Sequence, residues 1–233
     1  MWDKQVMKPV SEPANSPSYV QVRLKLLRDI ATGVWPLGGR MTLSDLEARY
    51  GVSQSPVREA LLRLEGDGVV VLHPHRGAVV PQVDAALLTQ VYDIIGALQG
   101  MLARRAVDHL TRTHLRELEA HLARFDAALD GGDIVGAVAA NGAFHGMLNS
   151  LGGNPQAKAL IETRFALAQA TRRLVGYSSG RTAEVKQQHQ SLLAALILGD
   201  GEAAAQVLVA HADTARDDLI ARLLSKGAAS TAS

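Results

Sequence analysis

The stretch GVSQSPVREALLRLEGDGVV, Gly51–Val70, decides how the first third of this 233-residue chain folds. Ser53 is an N-cap residue type, and Pro56 falls in the first turn after it, where a missing N–H removes no hydrogen bond. Val57, Leu61 and Leu64 then recur at helical spacing and give that helix one buried stripe. Just upstream, Thr42 and Asp45 have the form of a capping box, opening a shorter helix with Leu43, Leu46 and Tyr50 turned inward. Gly51 ends it. Two helices joined by the four-residue turn YGVS, the second starting on a capping Ser, make a helix-turn-helix.

Working outward, Val20, Leu24, Leu27, Ile30 and Val34 recur every three or four residues and predict a preceding helix, broken by Pro36, Gly38 and Gly39 in WPLGGRM. On the other side, VVVLH and GAVV are short β-branched runs around Pro74, His75 and Arg76, a small hairpin with a basic tip. Residues 1–16 carry Pro and Ser without an apolar period and read as a flexible arm. The N-terminal domain is therefore expected over 17–82, a winged helix-turn-helix.

With Val57, Leu61 and Leu64 inward, Gln54, Ser55 and Arg58 share the outward face at the start of the third helix, the part of such a helix that enters the major groove of DNA. Arg58 suits guanine or a phosphate, Gln54 suits adenine, and the Ser53 and Ser55 hydroxyls suit phosphate oxygens. Arg40, and His75, Arg76 and Gly77 at the hairpin tip, are placed to reach the backbone or minor groove. Bulk charge does not argue for nucleic acid. Ten Lys/Arg face eight Asp/Glu through residue 82, and fourteen face fifteen thereafter. The case rests on position. Here the sequence resembles the GntR family of bacterial regulators. G-V-S-x-x-P-V-R-E-A-L-x-R-L with the later R-G-A-V-V, within Tyr19–Val80, carries the likeness. Gln54 stands where that family commonly has Arg, so its usual operator preference does not transfer.

From residue 83 to 226 the pattern becomes Ala- and Leu-rich amphipathic helices, with breaks near Thr111, Gly131-Gly132, Gly152 to Pro155, Ser178 to Gly180 and Gly199 to Gly201. Six helices with short connections predict an antiparallel bundle; residues 227–233 read as a loose tail. The fold class is mainly α, a winged helix-turn-helix followed by an all-α bundle. Without cysteine, any metal must be held by His, carboxylate or amide groups. No run of 18 apolar residues occurs, and the first twenty residues do not form a signal peptide, so a cytoplasmic protein with no membrane partner is expected. His189 lies four after Val185 and three before Leu192, His211 follows Val207 and Leu208, and His145 lies one turn after Asn141. All three histidines fall on apolar stripes. Spacing leaves two readings open: three separate core histidines, or three imidazoles converging on a metal. His109, His114 and His121 fall at helix ends or mixed faces, and Trp35 reads as a plug between domains.

Residues 84–225 resemble the FCD ligand-binding domain of the FadR branch of the GntR family, through FH followed by GNP, then QHQSLLAALILGD, then the His of EAAAQVLVAHAD. The resemblance implies a divalent metal, Zn, Ni or Mn, held by Asn141, His145, His189 and His211, with Asn141 in place of the more usual Asp. A metal with open positions would take a small organic acid from solution as effector, with Arg172 either the cation for a second acidic group or a surface residue, and the chain is read as a homodimer on double-stranded operator DNA. Where family members often carry Arg and Glu near Ile95 and Gln99, this chain has lost the charge. Two rivals remain, a purely structural His site and a metal-dependent hydrolase. The hydrolase would need Glu162 or Glu184 brought in as base.

Overall fold

A computed structural model describes residues 18–73 and 76–231, with side chains through Lys226; the segment expected to be an arm, and His75, lie outside the described residues. The N-terminal domain runs α1 (Ser18–Ala31), β1 (Arg40–Met41), α2 (Leu43–Tyr50), α3 (Gln54–Gly66), β2 (Val71–His73) and β3 (Gly77–Val79). The capping box of α2 forms as read: the Asp45 amide donates to Thr42 Oγ1 at 3.2 Å, and the Thr42 amide to Asp45 Oδ2 at 3.0 Å. Gly51, at φ +67°, closes α2 in the left-handed region. Ser53 occupies the N-cap of α3, but its side chain makes no capping bond and stays exposed. Val57, Ala60, Leu61 and Leu64 are the buried face of α3.

α1 differs from expectation. Its buried face is Val22, Leu26, Leu27 and Ile30, while Leu24 and Val34 are each 43% exposed. Two apolar stripes share Leu27 and Ile30, and only packing against α3 and α7 (Pro155–Val175) selects between them. Trp35 also sits elsewhere than expected. Its indole N–H donates to the Tyr50 hydroxyl at 3.3 Å, which in turn donates to Asp29 at 2.8 Å, so it ties the loop after α1 to α2 within one domain.

The strands form an antiparallel sheet in the order β1-β3-β2, with Met41 and Leu72 both opposite Ala78, and His73 opposite Gly77. Gly77 has φ +86°, and a Cβ there would stand 2.2 Å from the Met41 carbonyl oxygen. Gly77→Ala should therefore destabilise the N-terminal domain by about 2 kcal/mol or more, through both backbone strain and the clash. Thermal melting of the two proteins checks this, and an unchanged midpoint would show that the hairpin can shift freely.

The second domain has α4 (Ala85–Ala106), a 3-10 turn (Val107–His109), α5 (Arg112–Asp130), α6 (Ile134–Leu151), α7, α8 (Ser179–Ile197) and α9 (Gly201–Thr231), breaking where the Gly and capping residues predict. Asp84, Thr111, Asp133, Asn154 and Ser178 each accept the amide three residues on. The segment expected to be a tail instead continues α9 through Thr231, as its Ala residues favour and the absence of Pro permits. Gly96 and Gly100 let α4 lie close on α9, where added Cβ atoms would meet Ala212 and Val209 at 3.2 Å. The span Ala85–His109 is long and apolar enough to cross a membrane by composition; here it is a core helix, packed on α9, α7 and α6.

The two domains share one continuous core, in which Val22 and Leu26 of α1 cluster with Ala166, Leu167 and Ala170 of α7. Polar contacts fix the same junction. Arg23 Nη2 donates to Asp67 Oδ2 at 2.7 Å and Thr163 Oγ1 at 2.8 Å, and Arg164 Nη1 donates to the Asp67 carbonyl at 2.6 Å.

Candidate metal centre and nucleic-acid interface

The first turn of α3 presents Gln54, Ser55 and Arg58 to solvent, with Ser53 beside them. These side chains are not independent. Gln54 Nε2 donates to Glu47 Oε2 on α2 at 3.2 Å, and Arg58 Nη2 donates to Gln54 Oε1 at 3.3 Å. Sequence reading missed Glu47, whose one signal is an acid on α2 seven residues before Gln54. Arg40 extends along the hairpin, its Nε and Nη2 on the Arg76 carbonyl at 3.3 and 3.1 Å, so one guanidinium braces the tip that carries Arg76 and Gly77. Between α3 and the hairpin lies a groove lined by Arg58, Leu62, Glu65, Leu72 and His73.

In the bundle, His145 on α6, His189 on α8 and His211 on α9 come together, their ligand nitrogens within 4.8 Å of one another. Each is buried, at 3%, 2% and 7% exposure. Each His sits on the inner stripe of its helix, as its spacing reads, and the fold of the bundle brings the three together. His109, His114 and His121 lie elsewhere; the His114 ring helps cap α5.

A buried imidazole without a partner is costly. His145 Nδ1 and both ring nitrogens of His189 have no hydrogen-bond partner, and neither does Asn141 Oδ1, one turn before His145. His211 Nδ1 has two polar neighbours, Gln188 Oε1 at 3.0 Å and Arg181 Nη2 at 3.3 Å. Burial pushes the His145 pKa down to about 4, with the Arg181 charge adding to the effect. Burial first, then neighbouring His and Arg charges, holds His189 and His211 well below the usual value. All three imidazoles are thus neutral at pH 7, the state a metal requires.

Asn141, His145 and His211 open on a cavity whose free centre measures about 40 Å³, room for roughly three water-sized species. Two guanidiniums line it, Arg172 and Arg181, and among the described residues no carboxylate does. Arg172, taken from the sequence as the cation for an acid, is buried in an ion pair with Asp218 and donates to the carbonyls of Gly176 at 2.8 Å and Ala215 at 3.1 Å. Its charge is already neutralised. Arg181, which sequence reading passed over, is 3% exposed. It reaches Glu184, Gln188 and Thr214 through Nη1 and the His211 carbonyl and Nδ1, each at 3.3 Å, through Nη2, while its Nε is buried without a partner. Glu184, one of the two candidate bases, is thus engaged with Arg181, and the other, Glu162, pairs with Lys158; neither lines the cavity.

Residues 18–80 match the gntR family of bacterial regulatory proteins, and residues 90–214 match the FCD domain. The chain is 25% identical over 201 residues to the HTH-type transcriptional repressor RspR of Escherichia coli (strain K12), spanning 86% of each. It is 28% identical over 193 residues to a probable D-xylose utilization operon transcriptional repressor of Paenarthrobacter nicotinovorans, spanning 82% of this chain and 84% of that one. Among solved structures, E. coli McbR/YncC superposes with a TM-score of 0.74 at 26% identity, over 88% of this chain and 97% of that one. These relatives are regulators of transcription and not enzymes. A helix-turn-helix with a braced wing, joined through α7 to a six-helix bundle, is therefore more than a resemblance: the chain is a DNA-binding transcription regulator that belongs to the GntR family and carries an FCD domain.

Proposed function

We propose that the chain is a repressor of the FadR branch, acting in the cytoplasm as a homodimer whose operator affinity is set by a small organic acid bound at a metal in the second domain. The observation that carries this reading is the set of orphaned buried atoms. His145 Nδ1, both ring nitrogens of His189 and Asn141 Oδ1 are buried without a partner; His145 and Asn141 line the cavity and His189 lies beside them, and a divalent ion would take one nitrogen from each histidine together with the amide oxygen. His145, His189, His211 and Asn141 would hold it, with Gln188 and Arg181 against His211 Nδ1. When bound, the ion supplies a positive centre for an oxygen donor of the acid. A cavity walled by two guanidiniums and, among the described residues, no carboxylate favours an anion. Arg181, less fully compensated than Arg172, is the residue that meets the second acidic group.

Metal content of untagged protein, set beside a His189→Ala variant, tests the centre; thermal melting with a panel of carboxylic acids tests the sensing. Near-stoichiometric metal that disappears in the variant, with one acid raising the midpoint and changing operator affinity, is the expected result. Full metal with no acid effect would favour a structural site, and no metal in either protein would overturn the proposal.

A further inference from the structure

We propose that Glu47, Gln54 and Arg58 act as one base-reading unit that selects adenine in each half-site, with Glu47 as the positioning residue. This rests on the reading that α3 enters the major groove. A carboxamide offers two N–H donors and two acceptor lone pairs, and on its own it can turn either end toward a base. Here the neighbours decide. Glu47 can only accept and lies 3.2 Å from Nε2; Arg58 can only donate and lies 3.3 Å from Oε1. Only one orientation of the Gln54 amide satisfies both, so it is fixed before DNA arrives. One N–H and one lone pair remain for a base.

That remaining pair is complementary to the major-groove edge of adenine, whose N7 accepts and whose N6 amino group donates. Guanine presents two acceptors there and would set O6 against Oε1. Arg58 keeps further N–H groups for a guanine or a phosphate next along the groove. The negative charge of Glu47 faces away from any benefit in binding phosphates, so holding Gln54 is the role its position supports. Reading by a held amide also accounts for the departure at this position, where an Arg would favour guanine.

The test is selection from randomised duplex DNA by the full chain, followed by binding measurements on single-base variants of the selected duplex. The proteins are wild type, Gln54→Arg and Glu47→Gln. Wild type should select A·T at one position per half-site and lose about tenfold to a hundredfold in affinity when it becomes G·C. Gln54→Arg should reverse that preference. Glu47→Gln, which can face Nε2 with either end, should cut the discrimination to about threefold or less while total affinity holds or rises, since one negative charge near the phosphates is gone. A merely structural role for Glu47 would instead lower affinity and melting temperature together. Unchanged base preference in Gln54→Arg, or full discrimination in Glu47→Gln, overturns the proposal. Failure of every protein to enrich any dyad motif overturns the groove reading beneath it.

Discussion

In a buffer that holds a chelator of divalent ions, the protein is expected to lose stability steeply as the pH falls below about 6.5. Three histidines are buried neutral, mainly by desolvation, with His145 pushed down to about 4 and His189 and His211 well below the ordinary value. The unfolded chain binds their protons near 6.5 and the folded chain does not, so acid draws the equilibrium toward unfolding. Stability is fully present above the unfolded value and falls as the pH drops from there toward the folded one. Each such group costs about 1.4 kcal/mol per pH unit in that window, and three together about 4 kcal/mol per unit. Against a total stability of about 5–15 kcal/mol, two or three units of acid are enough to unfold the bundle. Urea melts at a series of pH values in chelator would show it, and His189→Leu should flatten the slope by about a third. A profile that stays level between pH 7 and pH 5 would mean that the imidazoles are hydrated or charged in the folded state.

Neutralising Asp218 should be nearly as damaging. Its ion pair with Arg172 is among the most buried in the molecule, with side chains 6% and 8% exposed, and it joins the end of α7 to α9 while the Ser178 amide adds the start of α8. Burial alone would raise the Asp218 pKa, but the Ser178 and Arg172 hydrogen bonds outweigh it and hold it low. Asp218→Asn keeps the shape and removes the charge, leaving a guanidinium in the interior without its counter-ion. Breaking a pair of this kind costs about 3–5 kcal/mol. At about 2–4 °C per kcal/mol for a chain of this size, the bundle should melt some 10 °C or more below wild type. Replacing both partners with apolar residues, Arg172→Met with Asp218→Leu, should recover much of the loss, because no charge is then stranded. A single variant that melts within about 2 °C of wild type would show that water reaches the guanidinium after all.

What the sequence made legible was local. The capping box of α2, the Gly51 stop and the inner stripe of α3 each depend on residues within two turns of one another. The same periodicity put His145, His189 and His211 on inner faces, although only the packing of α6, α8 and α9 brings them together. What stayed hidden depended on partners distant in the chain. β1 is two residues long and exists because Val79 and Ala78 pair with it. Arg181 sits in the first turn of α8, where a guanidinium ordinarily reads as solvated; Gln188 and Thr214 bury it. Glu47 matters through Gln54, seven residues away across a turn that reverses the chain.

The clamp between α7 and the loop after α3 has a mechanical side. From Arg164, fastened to the Asp67 carbonyl, to Arg172 on the cavity wall, α7 advances about 12 Å in unbroken helix. A rod of that length does not bend to absorb a push at one end. A push on Ala168 or Gln169, which line the cavity, would thus be carried to Arg164 and the loop that it fastens. For the proposed dimer, with half-sites about 34 Å apart, a tilt of a few degrees carried along this helix would put the two reading heads out of step with the turn of the double helix.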